Sequence, residues 1–189
     1  MTNPQILRAA DRVAAPWKNG LGVTREIAVH PPGAGLGDFD WRVSMATVTA
    51  GGPFSRFPGI DRVLAVLEGH LAVRIDGARI ELGPDSPSLS FPGEVPVEAE
   101  APAGLVTDLN LMTRRGRVRG TLERLEIDRP TNVAVSGVTI VLIRTDNVHL
   151  DRWLLGADDA VMADRSAARP LRFEPARPSV VYTIRFAAI

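Results

Sequence analysis

Between Arg62 and Leu82 the chain carries three short apolar stretches separated by two tight-turn signals, and little besides antiparallel β structure accommodates that pattern. Val63-Leu-Ala-Val-Leu67 leads into Glu68-Gly69, His70-Leu-Ala-Val-Arg-Ile75 into Asp76-Gly77, and Ala78-Arg-Ile-Glu-Leu82 follows. Two-residue connections with glycine in second place suit turns whose twist matches the strands they join. In the middle strand Leu71, Val73 and Ile75 share one face and Ala72, Arg74 and Asp76 the other, because strand side chains alternate with a period of two. One face is therefore buried.

The same punctuation runs along the whole length. Ser88-Leu-Ser-Phe91 and Val95-Pro-Val-Glu-Ala-Glu100 bracket a Pro92-Gly93 turn, and a strand from Leu105 to Met112 follows Pro102-Ala-Gly104. The 17 glycines and 15 prolines are spread rather than gathered in a linker, which favours an all-β fold. Around residue 120 the basic run Arg114-Arg-Gly-Arg-Val-Arg-Gly120 precedes Leu122-Glu-Arg-Leu-Glu126, and a crossover is expected there. The second half then replays the first: Val138 to Arg144, an Asp146-Asn147 turn, a strand from Val148 to Leu154, and Leu155-Gly156-Ala157-Asp158 echoing Leu82-Gly83-Pro84-Asp85. Two similar β units are the economical explanation. The expected division is residues 1–120 and residues 121–189, with the boundary somewhere between 113 and 137.

Composition removes several classes of function. Lys plus Arg equals Asp plus Glu at 22 each, so no net field draws in nucleic acid or an anionic membrane, and the basic run near Arg115 reads as a solvated connection or a salt-bridged edge. The absence of cysteine excludes disulfides, thiolate ligands and cysteine nucleophiles, and is compatible with a reducing compartment. No run approaches the roughly 18 apolar residues of a membrane span, and a cytoplasmic location is the expectation.

Four strings narrow the fold further. Trp17-Lys-Asn-Gly-Leu-Gly-Val-Thr-Arg-Glu-Ile27, Phe39-Asp-Trp-Arg-Val-Ser44, Gly52-Pro-Phe-Ser-Arg-Phe-Pro-Gly-Ile-Asp-Arg62 and Asp108-Leu-Asn-Leu-Met112 resemble, in order and spacing, the signature of the bacterial HutD/Ves family. The specific motifs cover residues 10 to 120; beyond them the likeness is a weaker second pattern. The family pattern has glycine where Leu21 stands and aspartate where Glu94 follows Phe91-Pro-Gly93. The resemblance implies a bicupin of the RmlC-like superfamily: two jelly-roll-like antiparallel β-barrels. It also implies a non-catalytic regulator or accessory factor of histidine utilisation that binds a small carboxylate metabolite. A homodimer is compatible with such a fold, and no sequence feature fixes it.

Metal-dependent cupins gather two alternating histidines, a carboxylate and a later histidine. Here His30, His70 and His149 are isolated, and Gly59-Ile-Asp-Arg62 stands where the first motif would place alternating histidines, so neither metal nor other cofactor is expected. His149 and Asp151, read as sharing a strand face, suit a surface hydrogen bond better than an acid-base pair. Ser44 and Ser55 lack a nucleophile elbow or neighbouring base, so no catalytic nucleophile is assigned.

What remains is a polar set on otherwise apolar strands. Thr24 alternates onto one face with Glu26, Arg42 with Ser44, and Asp108 with Asn110. If these faces line the first barrel, Arg62 would grip a carboxylate through its guanidinium fork while Asn19, Thr24 and Asn110 orient it. The alternative is a structural network in which Arg62 pairs with Glu26 or Asp108. Two other functions are open at this level: a metal-independent isomerase or hydrolase with Glu26 or Asp108 as base, and a protein-interaction module. Trp17, Trp41, Phe54 and Phe57 read as core or loop anchors rather than stacking groups.

Overall fold

Short β-branched and aliphatic runs, each stopped by glycine, proline or aspartate, fold as strands wherever the computed structural model describes the chain: residues 4–17, 19–102, 104–166 and 169–189. Strand β1 (Gln5–Leu7) precedes a 3-10 turn at Ala9–Asp11. Then come β2 (Ala14–Pro16), β3 (Gly22–His30), β4 (Trp41–Val48), β5 (Gly52–Pro53), β6 (Ile60–Glu68), β7 (Leu71–Ile75), β8 (Ala78–Leu82), β9 (Leu89–Pro92), β10 (Val97–Glu100) and β11 (Val106–Arg114). The rest are β12 (Val118–Ile127), β13 (Thr131–Val133), β14 (Val138–Ile143), β15 (Val148–Leu150), β16 (Trp153–Leu155), β17 (Ala160–Ala163), β18 (Leu171–Pro175) and β19 (Ser179–Ala188). No α-helix occurs among the described residues, and so none long and apolar enough to cross a membrane.

The chain divides into two compact units, one of residues 13–118 and one joining the residues up to Arg12 with Arg119–Ile189. The expected division at residue 120 gave the first residues to the N-terminal unit. Instead β1 pairs with β17, Gln5 opposite Met162 and Leu7 opposite Ala160. Ile6 packs on the core that contains Val161. Asp159 fastens the segment by accepting hydrogen bonds from Ala9 N–H at 2.8 Å and Arg8 Nη1 at 2.6 Å.

In the unit of residues 13–118 a six-stranded sheet, ordered β2-β3-β4-β11-β6-β9, faces a four-stranded sheet, β5-β10-β7-β8. The result is a jelly-roll-like sandwich rather than a closed barrel. Its core takes Leu64, Val66, Phe91 and Val106 from the larger sheet and Leu71, Val73, Leu82, Val97 and Ala99 from the smaller. The middle strand of the triple hairpin buries Leu71 and Val73 as its alternation requires. Asp76 and Gly77 both take positive φ, 50° and 80°, the geometry that a tight hairpin between twisted strands demands.

The internal repeat is real. A five-stranded sheet, β1-β17-β14-β19-β12, accompanies a four-stranded one, β13-β18-β15-β16. The neighbour sequence β4-β11-β6-β9 of the first unit recurs as β12-β19-β14-β17, and β5-β10-β7-β8 as β13-β18-β15-β16. Leu82 and Leu155, which open the two Leu-Gly-x-Asp strings, are both buried.

Two local readings need correction. The stretch Val148 to Leu154 is not one strand but the hairpin β15–β16, turned at Asp151 with φ 50°. Asp151 therefore does not share a strand face with His149; it pairs with Arg169 at 3.2 Å. Similarly, Leu122 to Glu126 belongs to β12, entered by a turn at Arg114–Arg117. The basic run is taken up locally, Arg115 by Asp61 and Glu94, Arg117 by Asp40, and Arg114 by the carbonyls of Phe39 and Gly37.

Candidate functional site

Register places seven of the eight singled-out residues on one face of the six-stranded sheet. Thr24, Ala46, Asp108 and Val66 stand opposite one another across β3, β4, β11 and β6. Glu26, Ser44, Asn110 and Leu64 form the next rung. Arg42, Met112, Arg62 and Phe91 form the third. Leu64, Val66 and Phe91 belong to the sandwich core, so this is the inward face, polar across β3, β4 and β11 and apolar toward β9. The corresponding strands β12, β14 and β19 of the other unit present Leu125, Ile127, Val141, Ile143 and Val181 to their core, with the buried Thr139 and Thr183 on the same face and Arg185 joined to Glu123 and Thr183.

The eighth residue, Asn19, lies apart. It is exposed in the loop before β3, where its Oδ1 accepts from Leu21 N–H at 3.1 Å. That loop is held by Trp17, whose Nε1–H donates to Thr24 Oγ1 at 2.8 Å. The tight position is Gly22: a Cβ there would sit 2.9 Å from both Thr47 O and the Trp17 ring. Leu21 is half-buried and does not take positive φ, so its backbone has no need of glycine. Glu94, the other departure from the family pattern, reaches Arg115 with both oxygens, at 2.7 and 3.0 Å.

Arg62 is 6% exposed, and its guanidinium carbon lies 5.1 Å from the ring centroids of Phe54 and Phe91 and 5.7 Å from that of Phe57. Three aromatic faces offset part of the cost of burying the cation. The cage is fixed by two motifs that dock: Gly93 N–H donates to Ile60 O at 2.7 Å and Phe57 N–H to Gly93 O at 2.8 Å. In the sequence alone Phe54 and Phe57 read as anchors, and the cage is not apparent. Phenylalanines at both flanks of Ser55-Arg56, six residues before a strand arginine, were the available signal.

The alternative pairing of Arg62 with Glu26 or Asp108 is absent among the described residues. Glu26 is engaged by Arg42 Nε at 2.8 Å, and Arg42 Nη1 also donates to Ser44 Oγ at 3.3 Å. Arg62 has one long contact, Nη1 to Ser55 O at 3.4 Å, while its buried Nε has no partner. Asn110 Oδ1 is likewise buried and unpartnered. Asp108 is 4% exposed and accepts no hydrogen bond from a described residue. Burial drives the Asp108 carboxyl up to about 7, with Arg62 opposing the shift, and drives Arg62 down to about 10, with Asp108 opposing. The face thus holds a fork-shaped cation, an acceptor and a carboxyl that titrates near neutrality.

Among the described residues no three His, Asp or Glu side chains gather as a metal site. His30 stacks on Trp41, His70 lies against Gly83, and His149 is exposed on β15.

Comparison with known proteins places this geometry. The chain is 39% identical over 129 residues to protein Ves of Cronobacter sakazakii, covering 67% of this chain and 69% of that one. It is 33% identical to an uncharacterised 21.2 kDa protein in the hutC 3′ region of Pseudomonas putida, covering 84% and 82%. The solved structure of HutD from Pseudomonas fluorescens SBW25 superposes with a TM-score of 0.82 at 29% identity, over 99% of this chain and 100% of that one. A bacterial pirin from Escherichia coli, 11% identical with a TM-score of 0.69 over 96% and 98%, shares the cupin-type fold alone. The sequence model of the HutD family matches residues 9–180, and the chain belongs to the HutD family.

Proposed function

We propose that the sandwich of residues 13–118 binds a small carboxylate metabolite on its inward face, and that the protein acts without turnover as a regulator or accessory factor of histidine utilisation. One observation carries the reading: a buried arginine that has no carboxylate partner, and whose Nε is unpartnered, among the described residues. A carboxylate approaching side-on takes two parallel N–H bonds from the Nε and Nη2 edge, the pairing that such a fork favours. The Ser55 carbonyl engages the other nitrogen, so this edge is uncommitted among the described residues. The link to histidine utilisation rests on family membership and on the relative in the hutC 3′ region.

Titration calorimetry with L-histidine and its carboxylate breakdown products tests this. Binding by the wild type that is lost in a folded Arg62→Ala variant supports the assignment. Equal affinity in the two proteins removes Arg62 from the site. Loss of a buried charge-assisted contact is worth roughly 2 to 5 kcal/mol, well within the range of the method.

A second reading is favoured by Asp108, whose carboxyl is pushed up to about 7, where a group serves as acid or base at neutral pH. In that case Asp108 moves a proton on a substrate held by Arg62. Turnover of a bound carboxylate that disappears in Asp108→Asn while binding persists would select it.

A further inference from the structure

Every open sheet ends in strands whose outer N–H and C=O groups are unpaired and available to another chain. Here the four sheets end in β1, β2, β5, β8, β9, β12, β13 and β16. All of these but β12 are two to five residues long. Three carry proline (Pro16, Pro53 and Pro92), and β8 is charged, with Arg79 held by Glu81 and Glu100. Such edges are poor templates for a further strand. By contrast β12 runs for ten residues, Val118–Ile127, without proline, and no strand lies beyond it among the described residues. Its counterpart in the repeat, β4, is covered on that side by β3 along its whole length. The second unit repeats the strand plan of the first up to β12 and stops one strand short.

The side chains of this edge are self-complementary. By strand alternation Arg119, Thr121 and Glu123 share the face of Leu125 and Ile127, yet all three are exposed where those two reach the core. Arg114, Arg115 and Arg117 find local partners, whereas Arg119, the last of the basic run, has none among the described residues. Glu123 is 57% exposed and takes Arg185 on one oxygen at 3.1 Å, which leaves a carboxylate capacity for a second cation. We propose that β12 is a self-association edge: a second copy of this chain adds its own β12 antiparallel, about a two-fold axis level with Thr121, and the two five-stranded sheets become one. In that register Arg119 stands opposite the partner's Glu123, twice over by symmetry, and Thr121 stands opposite the partner's Thr121. Directly opposed residues of an antiparallel pair lie on one face, so the axis must be level with a residue, and the alternatives are few. An axis at Glu123 or Arg124 opposes like charges, and one at Gly120 or Leu122 leaves the charges unmatched. An axis at Leu125 matches Arg124 with Glu126, which already hold each other at 2.7 Å, and sets Glu123 against Ile127.

Sedimentation velocity of the full chain from about 1 μM to about 300 μM, a span that reaches the weak end of specific association, should show monomer giving way to dimer. Hydrogen exchange of the amides between residues 118 and 124 should slow over the same range. Arg119→Glu and Glu123→Arg, each shown to be folded by circular dichroism, should each dimerise at least about tenfold more weakly, because like charges then meet at two places. An equimolar mixture of the two variants should dimerise again, since each brings the charge that the other lacks. A dimer that Arg119→Glu leaves unchanged, a mixture no stronger than either variant alone, or a dimer that forms without protecting the amides of 118 to 124 overturns the inference. A wild type that stays monomeric throughout also overturns it, and would leave this edge to an extended segment of another protein.

Discussion

Replacing Asp108 by asparagine should remove a pH dependence from the stability of the protein. In the folded chain the carboxyl titrates at about 7 against an ordinary value of 3.8, a difference of about 3 units. Each unit is worth about 1.36 kcal/mol, so ionising Asp108 costs the fold about 4 kcal/mol in full. The sign follows from the protons bound. Between the two values the folded state holds the proton and the unfolded chain has released it, so stability falls as pH rises. Roughly 2 to 3 kcal/mol of that loss falls between pH 5 and pH 8. Arg62 is the charged group whose field acts on Asp108; Glu26 and Arg42, on the next two rungs, pair with each other. Removing the charge also alters the environment of Arg62, but that guanidinium stays protonated throughout this range, and its contribution is an offset rather than a slope. Urea unfolding of both proteins at pH 5 and pH 8 isolates the effect. The advantage of Asp108→Asn over the wild type should grow by about 2 to 3 kcal/mol from the lower pH to the higher. A difference between the proteins that is constant across the two pH values would refute the burial of an ionisable Asp108 and the energetics built on it.

Two further outcomes test the frame around the site. Gly93→Ala would place a Cβ 2.6 Å from Phe57 O and 2.8 Å from Ile60 O, both backbone atoms that hold the aromatic cage, so it should lower stability by about 1 to 3 kcal/mol and weaken carboxylate binding, as unfolding and calorimetry would register. Burial alone would raise the Asp159 carboxyl, but hydrogen bonds from Ala9 N–H, Gly156 N–H and Arg8 hold it below its ordinary value. Asp159→Ala should therefore cost roughly 1 to 3 kcal/mol and make the segment up to Arg12 protease-sensitive, read by limited proteolysis; unchanged cleavage would show that β1 pairing alone anchors the segment.

The period-two alternations of Thr24 with Glu26, Arg42 with Ser44 and Asp108 with Asn110 were legible because a strand cannot present neighbours to the same side. That all three pairs share one face with Arg62 was not. It depends on pairing register, including irregularities between Glu26 and Ala28 and between Thr107 and Asp108 that no local pattern announces. The hairpin at Asp76-Gly77 was legible from its glycine, whereas the equivalent turn at Asp151-Arg152 was read as strand because aspartate supplies the left-handed residue there. Strand β1 was missed since three residues with one packed isoleucine carry no usable period. The setting of Arg62 was hidden for a different reason: its aromatic faces come from the segment after β5 and from β9, brought together only when Gly93 docks between Phe57 and Ile60.

The most direct measurement of the central claim is mass spectrometry of small molecules released from gently purified wild-type protein and from folded Arg62→Ala, prepared side by side. A small carboxylic acid enriched in the wild-type extract and lost from the variant is the expected result. An acid retained equally by both proteins, or no acid enriched in the wild type, would contradict it.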